Sequence, residues 1–542
     1  MAPSLLDKQS QVVFFSATAI ALYGYDQGMM SLINTNNDYL STMGIAEEDP
    51  LVGVIVAVYY LGCTVGAILA SWLSNTHGRK LSIIVCLTTA SIGNLIMFLA
   101  GYNGMSGAIY VMLIGRIVMG LGLSEDDARG TALAQEFQAN IFGLNMAFIV
   151  NLALTHNLGK FNQWAWRSPI IIMQVFPAVM MAVAGLLPET PRWYVLHEKP
   201  EKAEKSIAKV WGQDAVDERI KSLKEAHEKE LEDGSGKLTY ADLCLPGRDQ
   251  FHPTVITVMG QVNQALTGYG AVSVYGPQIF ELLGFQVTDA EYLTMGNYLF
   301  YFGMMTLAWI LIDRKGRRWL LVSGSFWLAV SFALLTLLGG LASNRGSLGI
   351  PLLATGVPGI ITLYLATAAF GICWLTPPFL IPTEIYPSSC RAQGSAISVI
   401  IWGLANFTIT LLTPIGFNNL EYWLFAAFAV TNGFAGVWTW AYIPESGHRS
   451  FEENQKFFEE AEKEGSWRVG RVKGGEWRNL PNGGGGEGDE EEQDGGGARK
   501  KNGNGGDERR HCWGGGTAID RGSVVVQAMS PLEAWNLSYG IT

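Results

Sequence analysis

Residues 313–318 read Asp-Arg-Lys-Gly-Arg-Arg, and residues 78–80 read Gly-Arg-Lys. Each basic signal closes one long apolar stretch and opens another. The first copy has Asn75 where the second has an acid, Asp313. A second signal, further along each half, also occurs twice: Pro188-Glu189-Thr190-Pro191-Arg192-Trp193, then Pro444-Glu445-Ser446-Gly447-His448-Arg449. The copies lie 238 residues apart (Arg79 to Arg317) and 256 apart (Glu189 to Glu445). A pattern repeated once, at about half of the 542 residues, describes two equivalent halves.

Between these signals the chain is apolar. It is 49% hydrophobic and only 16% charged, against roughly 25% charge in a soluble domain. Val12–Ile33, Leu51–Trp72, Leu81–Gly101, Arg167–Leu187, Trp319–Leu341, Val357–Leu380 and Tyr422–Ile443 are each long enough to cross a bilayer core, which takes roughly 20 helical residues. Ala132–Leu154, Val255–Leu283, Leu293–Ile312 and Ala396–Thr413 are less pure. The short Ser106–Leu123 completes twelve. Lipid leaves no open backbone satisfied, so these stretches are helices. The fold class is all-α: a polytopic membrane protein of two six-helix bundles, helix four short, with a cytoplasmic helical connector.

The expected organisation is 1–187 for the first bundle, 188–252 for the connector, 253–443 for the second bundle and 444–542 for a cytoplasmic tail, disordered after about 470. In the connector, Ala203, Ile207, Val210, Val216, Ile220 and Leu223 form an apolar stripe that can lie against the cytoplasmic face of the bundle. Phe451–Lys463 reads as a helix. Gly474–Gly516 is Gly-rich with an acidic block and cannot bury a core. Basic loops (Arg79-Lys80, Arg192–Arg248, Arg314–Arg318, Arg391) fall on one side, which places both termini in the cytoplasm. Lys160 and Arg167 are exceptions on the outer side. The six cysteines fit neither a metal spacing nor a disulfide framework. No nucleophile–base pair or phosphate loop suggests an enzyme, and nothing suggests a nucleic-acid partner or a cofactor.

Taken together, Gly24-Tyr25-Asp26-Gln27-Gly28, His77-Gly78-Arg79-Lys80, Gly115-Arg116, Arg129-Gly130, Pro188–Trp193, Asp313–Arg318, Pro382-Thr383-Glu384-Ile385-Tyr386-Pro387 with Arg391, and Pro444-Glu445-Ser446 resemble the sugar porter family of the major facilitator superfamily, in its fungal form. The resemblance covers roughly residues 12–455. It implies a monomeric plasma-membrane carrier for a sugar or polyol, working by alternating access, with a proton as coupling ion. Facilitated diffusion, a non-transporting sugar sensor and an inactive relative are the alternatives.

Asp26 lies halfway along the first span, where a carboxylate is costly unless paired or protonated. Arg116 is its natural partner, and the resemblance implies that the two couple proton to solute; a static buried salt bridge is the alternative. Arg79, Arg129, Arg192, Arg317, Arg318 and Arg391, with Glu189, Asp313, Glu384 and Glu445, can form an ion-pair network that closes and opens a gate. Simple anchoring of helix ends is the other reading. For the solute site the resemblance points to Glu136, Asn140, Gln264, Tyr275, Phe379, Trp402 and Asn406. Interhelical polar pairing competes with that role for Glu136 and Gln264. Here the chain departs from its family. Ala265 replaces a Gln, Gly270 stands where Asn is usual, Phe379 replaces a Trp, and Trp402 is displaced by one position, about 100° of helix.

The family pattern after Gly115-Arg116 is also cut short. Gly120-Leu121-Gly122 runs straight into Leu123–Gly130, about a dozen residues early. A splice or gene-prediction break, a tolerated short helix and a non-functional relative all fit. A shortened helix four is expected to shift Arg116 toward the cytoplasmic end, where it could miss Asp26.

Overall fold

The computed structural model describes residues 8–46, 49–122, 131–186, 188–213, 216–232, 240–387, 390–447, 449 and 451–472. The expectations for Arg129 and for the Gly-rich tail fall outside these residues, as do those for the side chains of Glu136, Arg192 and Val210.

The first half contains α1 (Lys8–Ile33), α2 (Pro50–His77), α3 (Arg79–Leu99), α4 (Ala108–Leu121), α5 (Thr131–Leu158) and α6, which is broken into Gln163–Ile172 and Val175–Leu186. The second half contains α7, in three pieces (Phe251–Leu266, Tyr269–Val274, Gly276–Leu282), then α8 (Val287–Lys315) and α9 (Arg317–Ser343). It continues with α10 (Leu352–Cys373 and Pro377–Ile385), α11 (Arg391–Leu420) and α12 (Trp423–Tyr442). Among the described residues, nine helices are long and apolar enough to cross a membrane. The exceptions, α1, α4 and the broken α7, bring the set to twelve.

Small residues set the helix contacts, as expected where lipid offers no hydrophobic drive between helices. At Gly24 and Gly28 a Cβ would overlap the backbone of Asn140 and Leu144, so α5 lies directly on α1. Helix α4 has 14 residues, about 21 Å of rise against a core of about 30 Å. Its glycines compensate by close approach: Gly115 packs on Gly93 and Met97 of α3, and Gly120 on Gly62 and the Tyr59 carbonyl of α2. Arg116 is thereby held at the depth of Asp26, and the two meet despite the short helix.

Helices α7 and α10 both break, and a side chain of α7 repairs the break in α10. Gly268 has φ +77°, a conformation glycine adopts without steric cost. The α10 break leaves the carbonyls of Trp374 and Leu375 without helical donors, and Gln264 Nε2 donates to both, at 2.8 and 2.9 Å. Sequence reading ran each of these helices through as one span.

The connector forms Pro191–Leu196, Pro200–Trp211 and Val216–Glu232. Its buried stripe of Ala203, Ile207, Val216, Ile220 and Leu223 packs with Tyr194, Val195 and Ala208. The helix Pro200–Trp211, which carries Ala203 and Ile207, also meets α1. The helix Phe451–Lys463 follows α12. Its Asn454 and Gln455 side chains donate to the Glu384 and Ile385 carbonyls at the end of α10. Beside it, Trp467 stacks on His252 at 4.5 Å. His252 sits at the polar end of α7, ahead of the apolar run from Val255, and burial pushes its imidazole down to about 4.

Candidate functional site

Asp26 and Arg116 are both buried, and Arg116 Nη1 donates to Asp26 Oδ1 at 2.5 Å. Arg116 also donates through Nε to the Ile55 carbonyl and through Nη2 to the Val56 carbonyl, each at 3.3 Å. Its guanidinium lies 4.7 Å from the centre of the Tyr59 ring. One arginine from α4 is thus held by one acid on α1 and by three groups on α2. Asp26 Oδ2 and the hydroxyls of Tyr39 and Tyr59 are buried without a hydrogen-bond partner. The acid therefore keeps an oxygen at which a proton can be held.

A cavity lies between the two halves. Tyr23 and Gln27 of α1, Tyr60 of α2, and Phe137 and Asn140 of α5 line one side. Gln264, Tyr269 and Gly270 of α7, Phe379 of α10, and Trp402 and Asn406 of α11 line the other. No described lining residue carries a charge. Rings run continuously from one side to the other: Trp402 meets Tyr60 at 5.3 Å, Tyr23 at 5.7 Å and Phe379 at 6.1 Å, and Phe379 meets Phe137 at 5.2 Å. Much of the amide hydrogen is turned inward. Both hydrogens of Gln264 serve the α10 break, and Asn406 Nδ2 donates to the Trp402 carbonyl at 2.9 Å. Their partners are backbone carbonyls, so the amide orientations are fixed: Gln264 can offer a solute its oxygen, and Asn406 its oxygen and one remaining N–H.

Of the residues singled out for the solute site, Asn140, Gln264, Phe379, Trp402 and Asn406 line this cavity. Tyr275 is outside its lining and packs on Phe417. Sequence reasoning missed Tyr23, Gln27, Tyr60, Phe137 and Tyr269. A lining ring in a span has no sequence mark that separates it from a lipid-facing one; only Gln27, a polar residue beside Asp26, carried a signal.

At the basic face, Glu189 Oε1 and Oε2 accept from the backbone N–H groups of Arg79 and Lys80, each at 3.0 Å. Glu445 accepts in the same way from Arg317 and Arg318, at 2.8 and 3.1 Å. These acids cap the start of α3 and α9, where sequence reading expected them to meet arginine side chains. A side-chain network is seen in the second half. Arg317 meets Glu384 at 2.8 Å and Asp313 at 3.3 Å, while Ser446 donates to Glu384 at 2.6 Å. Arg391 opens α11.

The opposite face explains the two basic exceptions. Arg167 donates to the carbonyls of Phe98 and Ala100 and lies 4.1 Å from the Trp166 ring centre. Lys160, just past α5, contacts Glu291 of α8 at 2.7 Å, an ion pair across the two halves.

Two sets of six helices, broken helices α7 and α10 beside a central cavity, and duplicated helix caps define a secondary-carrier architecture. The chain belongs to the sugar transporter family: the family model described as "Sugar (and other) transporter" matches residues 12–458. The chain is similar to the MFS-type transporter oryC of Aspergillus oryzae, 27% identical over 82% of this chain and 84% of that protein. It is also 27% identical to the sugar transporter STL1 of Saccharomyces cerevisiae, over 84% and 83%. Among solved structures, the proton:xylose symporter XylE bound to 6-bromo-6-deoxy-D-glucose shares the fold. The TM-score is 0.67 at 20% identity, covering 83% of this chain and 99% of that one.

Proposed function

We propose that the chain carries a neutral sugar or polyol across the plasma membrane by alternating access, driven by a proton taken up at Asp26. The observation that carries this reading is the buried Asp26–Arg116 pair next to a ring-walled cavity whose described lining residues carry no charge. A charged solute would find no counter-ion among the described lining side chains. The apolar face of a sugar ring suits Trp402 and Phe379, and its hydroxyls can donate to the oxygens of Gln264 and Asn406. Protonation of Asp26 ends the ion pair but leaves Arg116 its two carbonyls and the Tyr59 face on α2, so the tie to α1 is the one that loosens. The Lys160–Glu291 contact closes one end between the halves, and the Arg317–Glu384–Asp313 network stiffens the other end of the second half. In this reading the basic face, with both termini, is cytoplasmic, and the carrier acts as a monomer.

The test is uptake of a small sugar and polyol panel in cells lacking their own carriers, with and without an imposed pH gradient. Substrate-dependent alkalinisation of the medium is expected. Asp26→Asn should abolish gradient-driven accumulation while leaving exchange of solute across the membrane. Uptake that ignores the pH gradient and a protonophore would replace symport by facilitated diffusion.

A further inference from the structure

The Asp26–Arg116 pair and the cavity are joined by a run of rings with one residue at its root. Tyr59 is 1% exposed. Arg116 lies 4.7 Å from its ring centre, and Tyr60 and Tyr23 lie on its other sides at 5.5 and 6.1 Å. Those two rings are the ones that meet Trp402 of the other half, at 5.3 and 5.7 Å. The backbone is equally tight. Gly403, next to Trp402, has room for no Cβ against Thr64 and the Tyr60 carbonyl, so α2 and α11 meet at this level without slack.

From this geometry we infer that Tyr59 is a positioning residue: its ring seats Arg116 and passes the protonation state of Asp26 to the solute-facing Trp402. The inference rests on the proton-coupled reading above and adds the route of coupling. While Asp26 is ionised, the guanidinium is shared between α1 and α2. Once Asp26 is neutral, every remaining anchor of Arg116 is on α2: the Ile55 and Val56 carbonyls and the Tyr59 face. A cation freed of its counter-ion binds a ring face more strongly, and Tyr59 is packed too closely to absorb the change alone. Linkage makes the effect reciprocal, so solute on Trp402 alters proton uptake at Asp26 by the same factor.

The groups around Asp26 that could titrate or carry charge are few. Arg116 comes from α4, Tyr59 and Tyr60 from α2, and Tyr39 from the short helix Asn37–Met43. Tyr23 and Tyr25 are on α1 itself, Tyr25 donating to the Pro169 carbonyl. Arg167 of α6 is turned onto the Phe98 and Ala100 carbonyls. The described α5 side chains that hydrogen-bond to α1 are amides, Asn140 and Asn151.

The experiment needs no solute. Tryptophan fluorescence of the purified full chain is titrated with pH, and the same titration of Trp402→Phe is subtracted. The difference isolates Trp402; the response of Trp467 beside His252 cancels. The expected Trp402 signal titrates, is lost in Asp26→Asn and in Tyr59→Met, and is kept in Tyr59→Phe, which retains the ring. In uptake, a roughly tenfold change of solute KM with pH should fall below about twofold in Tyr59→Met, a loss of about 1 kcal/mol of coupling. A titration lost in Asp26→Asn but intact in Tyr59→Met overturns the route and leaves proton coupling standing. A titration that survives Asp26→Asn, or is absent from the parent, overturns both. Should Tyr59→Met fail to fold, the Tyr23→Leu/Tyr60→Leu pair breaks the same route one step on, and a preserved titration there is equally fatal.

Discussion

Glu189 and Glu445 hold equivalent positions in the two halves. Each carboxylate spans two successive backbone N–H groups at a helix start, those of Arg79 and Lys80 for Glu189 and those of Arg317 and Arg318 for Glu445. The glycine before each helix has positive φ, +100° at Gly78 and +84° at Gly316, and a Cβ at either would collide with the carboxylate. The repeated Gly-Arg and Pro-Glu signals are therefore two ends of one device, a turn shaped to receive an acid from the end of its own bundle.

Loss of either cap is expected to cost about 1–2 kcal/mol. Glu445→Ala should lower Tm more than Glu189→Ala, because Glu445 stands next to Ser446, which holds Glu384 of the Arg317 network. Gly316→Ala should reproduce the Glu445→Ala effect by displacing the acid. Thermal unfolding of the detergent-solubilised chain measures all three. Equal tolerance of Gly316→Ala and of a surface substitution would show that the turn does not depend on the acid.

This device also marks how far the sequence could be read. Twelve spans, the duplicated signals and the partnership of Asp26 with Arg116 were legible because charge inside an apolar run is rare and needs a partner. The reach of Arg116 was misjudged because helix length was read without its glycines. Gly115 and Gly120 let a 14-residue helix seat deeply between α2 and α3, and that depends on tertiary approach. The aromatic wall was illegible for another reason: Tyr60 and Phe137 look like any ring in a span until α10 and α11 stand opposite them.

Gly270 sets a prediction about solute choice. It lines the cavity, and the nearest atom to an added Cβ is Asn406 Oδ1 at 3.6 Å, an ordinary contact. Gly270→Asn therefore fits, and adds an amide donor to a wall whose Gln264 hydrogens are engaged elsewhere. Affinity for a fully hydroxylated hexose should rise about tenfold, or about 1.4 kcal/mol, relative to its deoxy analogues. Competition of unlabelled sugars against uptake gives the ranking. An unchanged ranking would place the selective contacts elsewhere in the cavity.

His252 makes the docking of the Trp467 segment pH-dependent. The ring is stacked on Trp467 and set edge-on to Phe458, with no charged group among these contacts. Its folded value of about 4 lies below the ordinary 6.5, so the neutral form is the docked one. The stabilisation is complete above pH 6.5 and is lost progressively as pH falls toward 4, by up to about 3 kcal/mol. Limited proteolysis near residue 467 should accelerate over that interval. His252→Phe should remove the pH dependence while keeping the stack, and a variant that still responds would assign the response to another group.

Lys160 and Glu291 supply the last prediction, an asymmetric one. The Glu291 side chain is 8% exposed and that of Lys160 28%. Removing the lysine strands a buried carboxylate, whereas removing the acid leaves an ammonium that can turn toward water. Lys160→Ala should therefore lower Tm more than Glu291→Gln, and the double variant should recover part of the loss. A double-mutant cycle should give a coupling of about 1 kcal/mol, since one partner is partly solvated. The pair also joins α5 to α8 across the two halves, so both single variants should expose that end more often. Faster labelling of a cysteine introduced at Asn34, a buried position near the end of α1, would register this opening. Additive Tm losses together with unchanged labelling would mean that the contact does not hold the halves together.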